Sequence, residues 1–191
     1  MLNKFILFFS ILITLTCTAC SSSSRDSAQT QKVFLEPNQS VVLPKFTYED
    51  KLSLKQLMTT SYQDKTHSLI VFLNFDKDLI EIKGMSTSFI NLFSVKYQNG
   101  IIDTKYFVPK LFLPNAQQAL LDIILCFEDD SKISQLLPRG YTVKTSKETR
   151  KILNRTSNII YSISYAKLQG QTLATKITNS AFNYTITIKY L

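Results

Sequence analysis

Few side chains of this sequence could take part in catalysis, and none of them stands in a pattern that catalysis requires. His67 is the single histidine, and a lone histidine makes neither a catalytic triad nor a zinc site with spaced ligands. The run Glu128-Asp129-Asp130 lacks the spaced oxygen ligands and the glycine of a calcium loop. The Gly-x-Ser-x-Gly, Cys-x-x-Cys and phosphate-binding glycine motifs are absent from the sequence. We therefore expect no enzymatic activity, no metal site and no cofactor.

Cys20 is the residue whose surroundings indicate a chemical modification. Lys4 precedes an apolar run that ends in small residues at Ala19, which is typical of a secretory signal peptide. Two alternatives are a plain signal peptide and an N-terminal membrane helix. The run is interrupted by polar residues and is shorter than the ~20 residues that a membrane-spanning helix needs. Its end resembles a bacterial lipobox, which implies cleavage before Cys20 and acylation of the cysteine. We expect residues 1–19 to be a signal peptide.

The segment after the cysteine predicts a tether and a cellular location. Residues 20–32 are polar and rich in serine, so they cannot bury enough apolar surface to fold. By resemblance to enteric sorting signals, Ser21 implies transfer to the outer membrane, with the folded domain, residues 33–191, on the periplasmic face. The net charge of +8 fits a solvated basic surface or attraction to anionic lipid. The expected periplasmic location argues against a nucleic-acid partner.

The cysteine content excludes an intramolecular disulfide in the mature chain. Cys17 leaves with the signal peptide and Cys20 carries the lipid, so that only Cys126 remains. It falls within a predicted buried helix. We interpret it as a small hydrophobic residue rather than a nucleophile.

Alternation of apolar and polar residues predicts an antiparallel sheet over most of the domain. The chain has 13 Phe and 9 Tyr but four Gly, and aromatic and β-branched residues favour strands. Asn99-Gly100 is typical of a tight hairpin turn. The predicted strands are 53–62, 69–75, 79–83, 89–97, 101–108, 159–165, 171–178 and 182–190. The fold class we expect is mainly β with helices, of the α+β type.

One main helix is predicted within this sheet protein. Asn115 is a favourable N-cap, and apolar residues from Ala116 to Phe127 recur at helical spacing. Leu121 and Leu125 extend the apolar surface to a second side, so the helix must be covered on two sides. A sheet would cover one side, and the sequence does not show which element covers the other. Residues 131–137 predict a second, short helix.

The apolar side chains allow two interpretations that the sequence leaves open. They pack as a solid core, or a curved sheet encloses an apolar cavity with the helix as its lid, as small-ligand sites are concave and mostly apolar. Residues 110–114 form an apolar loop that either lies beneath the helix, which we favour, or projects as a membrane- or partner-touching tip. The predicted cavity lining is Phe72, Phe93, Val95, Tyr161, Ile163, Tyr184 and Ile186, and the predicted lid residues are Leu120, Ile124 and Phe127.

The order of several motifs resembles a group of bacterial lipoproteins of unknown function that are often encoded beside aryl-polyene genes. The motifs, which extend from Ile82 to Leu191, are Lys83-Gly84-Met85, Tyr97-Gln98-Asn99-Gly100, the helix 119–125, Leu136-Leu137, Arg150, Ile160-Tyr161 and the strand 179–188. That group is similar to the LolA/LolB lipoprotein-carrier fold. The resemblance implies an open, curved antiparallel β-barrel wrapped around a helical lid, over an apolar cavity that accepts acyl chains.

The function we expect from these observations is binding of a lipid or an acylated protein at the outer membrane, without catalysis. The protein would be a monomer anchored to the membrane through Cys20, and a periplasmic carrier is a candidate partner. The alternative is an assembly lipoprotein with a solid core that binds a protein partner at a sheet edge. An apolar cavity separates the two hypotheses.

Overall fold

The structure, a computed structural model, describes residues 31–46, 48–110 and 113–191, with the backbone alone at positions 49 and 50. The proposed signal peptide and Cys20 therefore lie outside the described residues. Strands make up most of the described chain, with two helices between the seventh and eighth strands. In chain order the elements are β1 (Lys32–Glu36), β2 (Gln39–Val42), β3 (Tyr48–Tyr62), β4 (Lys65–Lys77), β5 (Leu79–Met85), β6 (Asn91–Gln98), β7 (Ile101–Tyr106), α1 (Ala116–Phe127), α2 (Asp130–Leu136), β8 (Thr142–Thr145), β9 (Thr149–Leu153), β10 (Ile159–Leu168), β11 (Gln171–Asn179) and β12 (Tyr184–Tyr190).

Ten of the strands form one antiparallel sheet, and the coarse prediction of a mainly β protein with helices is confirmed. The strand order is β7-β6-β5-β4-β3-β12-β11-β10-β9-β8. Consecutive strands are neighbours except at the middle, where β3 pairs with β12 over Gln56 to Tyr62. The sheet thus consists of a first half, β3 to β7, and a second half, β8 to β12, joined along that one pair.

Alternation sets which side chains face the interior. In β3 the even-numbered residues Gln56 and Met58 face the core side, and β4 places Leu69, Val71 and Leu73 opposite them on the same face. The predicted Asn99-Gly100 turn is present, with φ of 51° and 82° at the two residues, the left-handed values that such a turn requires.

Four predicted strand starts are wrong by two to five residues. Strands β3 and β4 begin at Tyr48 and Lys65, before the predicted residues 53 and 69, and two other strands begin later than predicted. Phe89 was expected in β6 but stands in the β5–β6 turn with a φ of 61°, and β6 begins at Asn91. Phe182 was expected in the last strand, but its backbone N–H is bound by the Asn179 side chain at 3.0 Å, so a turn continues to residue 183 and β12 begins at Tyr184.

Helix α1 has the bounds that its pattern predicts. The Asn115 side chain accepts a hydrogen bond from the Gln118 N–H at 3.1 Å, which caps one of the free donors of the first turn. Glu128 ends the helix in an extended conformation. The second predicted helix is present as α2.

The β1–β2 hairpin provides the second cover that α1 needs. Strand β1 packs against α1, and Val33, Leu35 and Val41 of the hairpin are buried in the same core as the helix and the sheet. The helix therefore lies between the inner face of the sheet and the hairpin. This layering leaves one side of α1 to face the sheet, where the candidate site is found.

Candidate functional site

A cavity of about 280 Å³ lies between α1 and the middle of the sheet. Its lining is largely aliphatic and aromatic, and it extends across the β3–β12 junction onto both halves of the sheet. The sheet contributes, among others, Met58, Leu69, Val71, Leu73, Ile82, Phe93, Ile177, Ile186 and Ile188. The helix contributes Gln118, Ala119, Asp122, Ile123, Cys126 and Phe127, which recur at intervals of three and four and so form one helix face.

The cavity opens at one end and is closed at the other. The exposed lining residues Tyr62, Pro114 and Asn115 lie together at the start of α1 and the end of β3, so the mouth is there. At the other end, the Phe127 ring packs against Phe75, with their centroids 4.8 Å apart. The rings of Phe46 and Tyr48 extend this cluster, which blocks the cavity behind Phe127.

Exposed apolar side chains stand at the same end of the sheet as the mouth. The β3–β4 and β5–β6 turns and the segment after β7 all lie at this end, because the strands between them run antiparallel. They carry Tyr62, Ile90 and Phe107, each about half exposed or more. The exposed Phe89 ring lies 5.7 Å from the Lys55 ammonium, on the face of the sheet opposite the cavity. Such a group of exposed apolar residues is typical of a surface that meets a lipid or a partner.

The structure brings four of the predicted residues to this cavity. Phe93, Tyr184 and Ile186 line it from the sheet, and Phe127 lines it from the helix. Val95, Tyr161 and Ile163 are fully buried in the core but do not reach the cavity surface.

Phe72, Leu120 and Ile124 do not line the cavity, contrary to the prediction. Phe72 alternates with Val71 and Leu73, so it points to the other face of the sheet, where the Lys55 ammonium lies 5.8 Å from its ring centroid. Leu120 and Ile124 are fully buried in the core. They are offset by about 110° and 150° from the centre of the helix face formed by the six lining residues of α1, so they point away from the cavity.

Three polar side chains of the cavity lining, Gln118, Asp122 and Tyr184, belong to a hydrogen-bonded group that continues into the core through Tyr161 and Asn179. The Tyr184 hydroxyl donates to the Asp122 carboxylate, at 2.8 Å to Oδ1 and 2.9 Å to Oδ2, and the Tyr161 hydroxyl donates to Oδ1 at 3.2 Å. The Gln118 amide donates to both hydroxyls, at 2.7 Å and 3.2 Å. Asn179 donates to the Tyr184 hydroxyl at 3.3 Å. We call these five residues the Asp122 cluster.

Burial makes the Asp122 carboxyl unusually hard to ionise. It raises the pKa of Asp122 from 3.8 to about 7, although the hydrogen bonds from Tyr184, Tyr161 and Gln118 oppose the shift. Burial also raises the pKa of both tyrosines well above the ordinary value. The carboxyl is thus the group of the cluster that changes charge near neutral pH.

Sequence reasoning missed the Asp122 cluster, although one signal of it was present. Asp122 is the single charged residue of α1, and a buried acidic residue needs polar partners. The partners lie on β10, β11 and β12, far along the chain, and only the sheet order brings them to the helix. Cys126 also lines the cavity; burial raises the pKa of its thiol, so it remains protonated.

Neither α1 nor α2 is long and apolar enough to pass through a bilayer. Within residues 31–46, 48–110 and 113–191, no group of three or more His, Cys, Asp or Glu side chains could hold a metal ion.

Comparison with known sequences gives one match. Residues 53–191 match a family described as a protein of unknown function, DUF3261. The match begins within β3 and includes every later strand and both helices, so it covers the ten-stranded sheet except for the first five residues of β3. No curated protein matches the chain.

Proposed function

The chain belongs to the DUF3261 family, and we propose that it binds an acyl chain or another hydrophobic cargo in the cavity beneath α1, without catalysis. The observation that supports this proposal is the apolar cavity itself, which opens at Tyr62 and Pro114 and is closed behind Phe127. A cavity with one mouth and a blind end suits a chain that enters end first.

The size and the lining of the cavity suit a single hydrocarbon chain. Its volume of about 280 Å³ is close to the lower bound of the ~300–1,000 Å³ typical of small-molecule sites. Each buried methylene contributes ~0.8 kcal/mol to affinity. A chain of about eight carbons would therefore gain several kcal/mol, less the cost of immobilising it.

We further propose the setting that the sequence predicts. The protein would be anchored by acylated Cys20 at the periplasmic face of the outer membrane, with α1 as the lid of a curved, LolA/LolB-like half-barrel. A lipid, a polyene product or an acylated protein would be its cargo, delivered by a periplasmic carrier. The exposed apolar residues around the mouth support entry from a membrane or a carrier at that end.

A cavity-filling substitution tests the proposal. Ala119 lines the cavity from α1, and Ala119→Phe would occupy much of the space that a chain needs. Ala166→Phe on β10 is the matched control, because Ala166 is half-buried but does not line the cavity. The measurement is native mass spectrometry of lipids that co-purify with each protein from its membrane fraction.

We expect bound lipid in the unmodified protein and in Ala166→Phe, and none in Ala119→Phe. Equal lipid occupancy in the two variants would overturn the proposed site. Absence of lipid from all three proteins, together with failure to bind added eight-carbon amphiphiles, would overturn the proposal and favour the assembly role at a sheet edge.

A further inference from the structure

Asp122 is a buried carboxylate that faces an apolar cavity without a cationic partner. Its side chain is 5% exposed, and it lines the cavity. The ion pairs found among the described residues involve other acidic groups. A buried charge without a counter-charge is costly, so the arrangement favours a ligand that supplies one.

The hydrogen bonds within the Asp122 cluster leave a position for a ligand group that donates a hydrogen bond, and none for a ligand group that accepts one. A carboxylate offers about four lone-pair sites. The Tyr184 and Tyr161 hydroxyls each bring a single proton, and the Gln118 amide, whose two protons also serve these hydroxyls, contributes at most one more hydrogen bond. At least one site on the carboxylate is therefore unused. The hydroxyl protons already point at Asp122, so an incoming acceptor would meet oxygen atoms.

We propose that the cavity selects amphiphiles whose apolar chain ends in a cationic amine, with the ammonium group donating to Asp122. The inference rests on the proposed function, since the chain of the same molecule occupies the apolar cavity. An ammonium group is favoured over a neutral hydroxyl because charge-assisted hydrogen bonds are about twice as strong. A ligand carboxylate is disfavoured because it would bring a like charge to a buried acid.

The preference for an amine depends on the ionisation of a single group, Asp122, among the side chains that surround it. They are Gln118 and Cys126 from α1, Tyr161 from β10 and Tyr184 from β12. Asn179 of β11 contacts Tyr184, to whose hydroxyl it donates. The thiol and both hydroxyls have pKa values raised by burial. Asp122 is therefore the member of this set whose charge changes between pH 5.5 and 8.5.

The test compares three eight-carbon probes by isothermal titration calorimetry with the purified protein. Octylammonium, octanoate and octanol have the same chain and differ in the terminal group. At about 30 Å³ for each water-sized group, the cavity holds about nine such groups, which matches these probes. Each probe is measured at pH 5.5 and at pH 8.5.

At pH 8.5 we expect octylammonium to bind about tenfold or more tightly than octanoate, with octanol between them. At pH 5.5 protonation of Asp122 should reduce that preference. Asp122→Asn should reduce it at both pH values, whereas the control Asp129→Asn, an exposed acid beyond the end of α1, should retain it.

The outcomes separate this inference from the proposed function. Equal binding of all three probes, tighter binding of octanoate, or an unchanged preference in Asp122→Asn would overturn the amine selectivity and leave the apolar site standing. Failure of every probe to bind would overturn both. If Asp122→Asn does not fold, the pH series on the unmodified protein still decides, because a preference that is the same at both pH values contradicts the role of Asp122.

Discussion

Gly84 on β5 lies directly beneath the aromatic ring of Phe93 on β6. The two residues are paired across the strands, and Phe93 lines the cavity. A Cβ atom at position 84 would stand 2.2 Å from the ring carbon Cε1, far inside van der Waals contact. The absence of a side chain at this position therefore allows the ring to lie flat against the strand, which keeps it out of the cavity.

Gly84→Ala should displace the Phe93 ring into the cavity. We expect a loss of about 1–3 kcal/mol in the free energy of unfolding, as for other overpacked sites, and weaker binding of octanol. Urea denaturation and calorimetry measure the two effects. The double variant Gly84→Ala/Phe93→Leu should recover binding, and if it binds no better than Gly84→Ala, the ring is not the cause.

Asp122 should make the stability of the protein fall as pH rises towards neutrality. The pKa of its carboxyl is about 7 in the folded protein against 3.8 ordinarily, so the folded state binds the proton more tightly than the unfolded state. Stability from this group is therefore complete below about pH 4 and is lost as pH rises to about 7. The loss should be a few kcal/mol, at 1.36 kcal/mol per pKa unit.

The measurement is the free energy of unfolding in urea, from pH 4 to pH 8, for the protein and Asp122→Asn. The difference between the two should change over this range and level off above pH 7. A difference that stays constant with pH would show that the Asp122 carboxyl has the same pKa in the folded and unfolded protein, and would contradict the prediction.

Side-chain direction was only partly predictable at the residue scale. Residues 69–75 are apolar on both faces, so period-two alternation does not show whether Phe72 or its neighbours point inward. The predicted inward direction of Phe72 is wrong for this reason. In β12 one face is apolar and the other polar, and there Tyr184 and Ile186 do line the cavity. Alternation is informative about direction only where the two faces differ in polarity.

At the scale of elements, the end of α1 is held by side chains from the second half of the sheet. Arg150 of β9 is 9% exposed; its guanidinium donates to the Leu125 carbonyl at 2.6 Å and pairs with Asp130 at 3.1 Å. The Tyr165 hydroxyl donates to the Cys126 carbonyl at 3.0 Å. These bonds satisfy carbonyls that the last turn of a helix leaves free, and a cation is favourable at that end of the helix dipole.

Arg150→Met should loosen the end of α1 that closes the cavity. We expect a loss of about 1–3 kcal/mol in the free energy of unfolding, because the buried Leu125 carbonyl loses its donor, whereas the Asp130 side chain is 45% exposed and stays solvated. Lys151→Met is the matched control, since Lys151 is the exposed neighbour on the same strand. Urea denaturation of both variants checks the prediction, which is contradicted if they lose equal amounts.

The sequence predicted which helices and strands exist better than it predicted which of them pack against each other. The spacing from Ala116 to Phe127 and the Asn115 cap defined α1, and its apolar surface correctly required a second cover. The cover is the β1–β2 hairpin, whose four- and five-residue strands are too short to give a clear period. It packs on a helix about 80 residues later, which is a contact that local patterns do not contain.

At the scale of the molecule, the proposed attachment depends on a residue outside the described chain. Cys20→Ser should abolish acylation, and the protein should leave the membrane fraction, because a polar tether without acyl chains has no apolar anchor. Metabolic labelling with an alkyne fatty acid and fractionation of the cells measure both effects. Cys126→Ser is the control and should keep the label; a labelled Cys20→Ser protein would contradict the anchor.

The central position of β12 also bears on how the protein is made. Strands β3 to β7 and β8 to β11 can each form hairpins as the chain leaves the ribosome, yet nothing in the strand order unites them until residues 184–190 have been translated. Pairing across more than 120 residues is slow, so the two halves of the sheet stay unpaired until residues 184–190 have left the ribosome. A chain that must be threaded through a secretion channel before it folds would benefit from this delay.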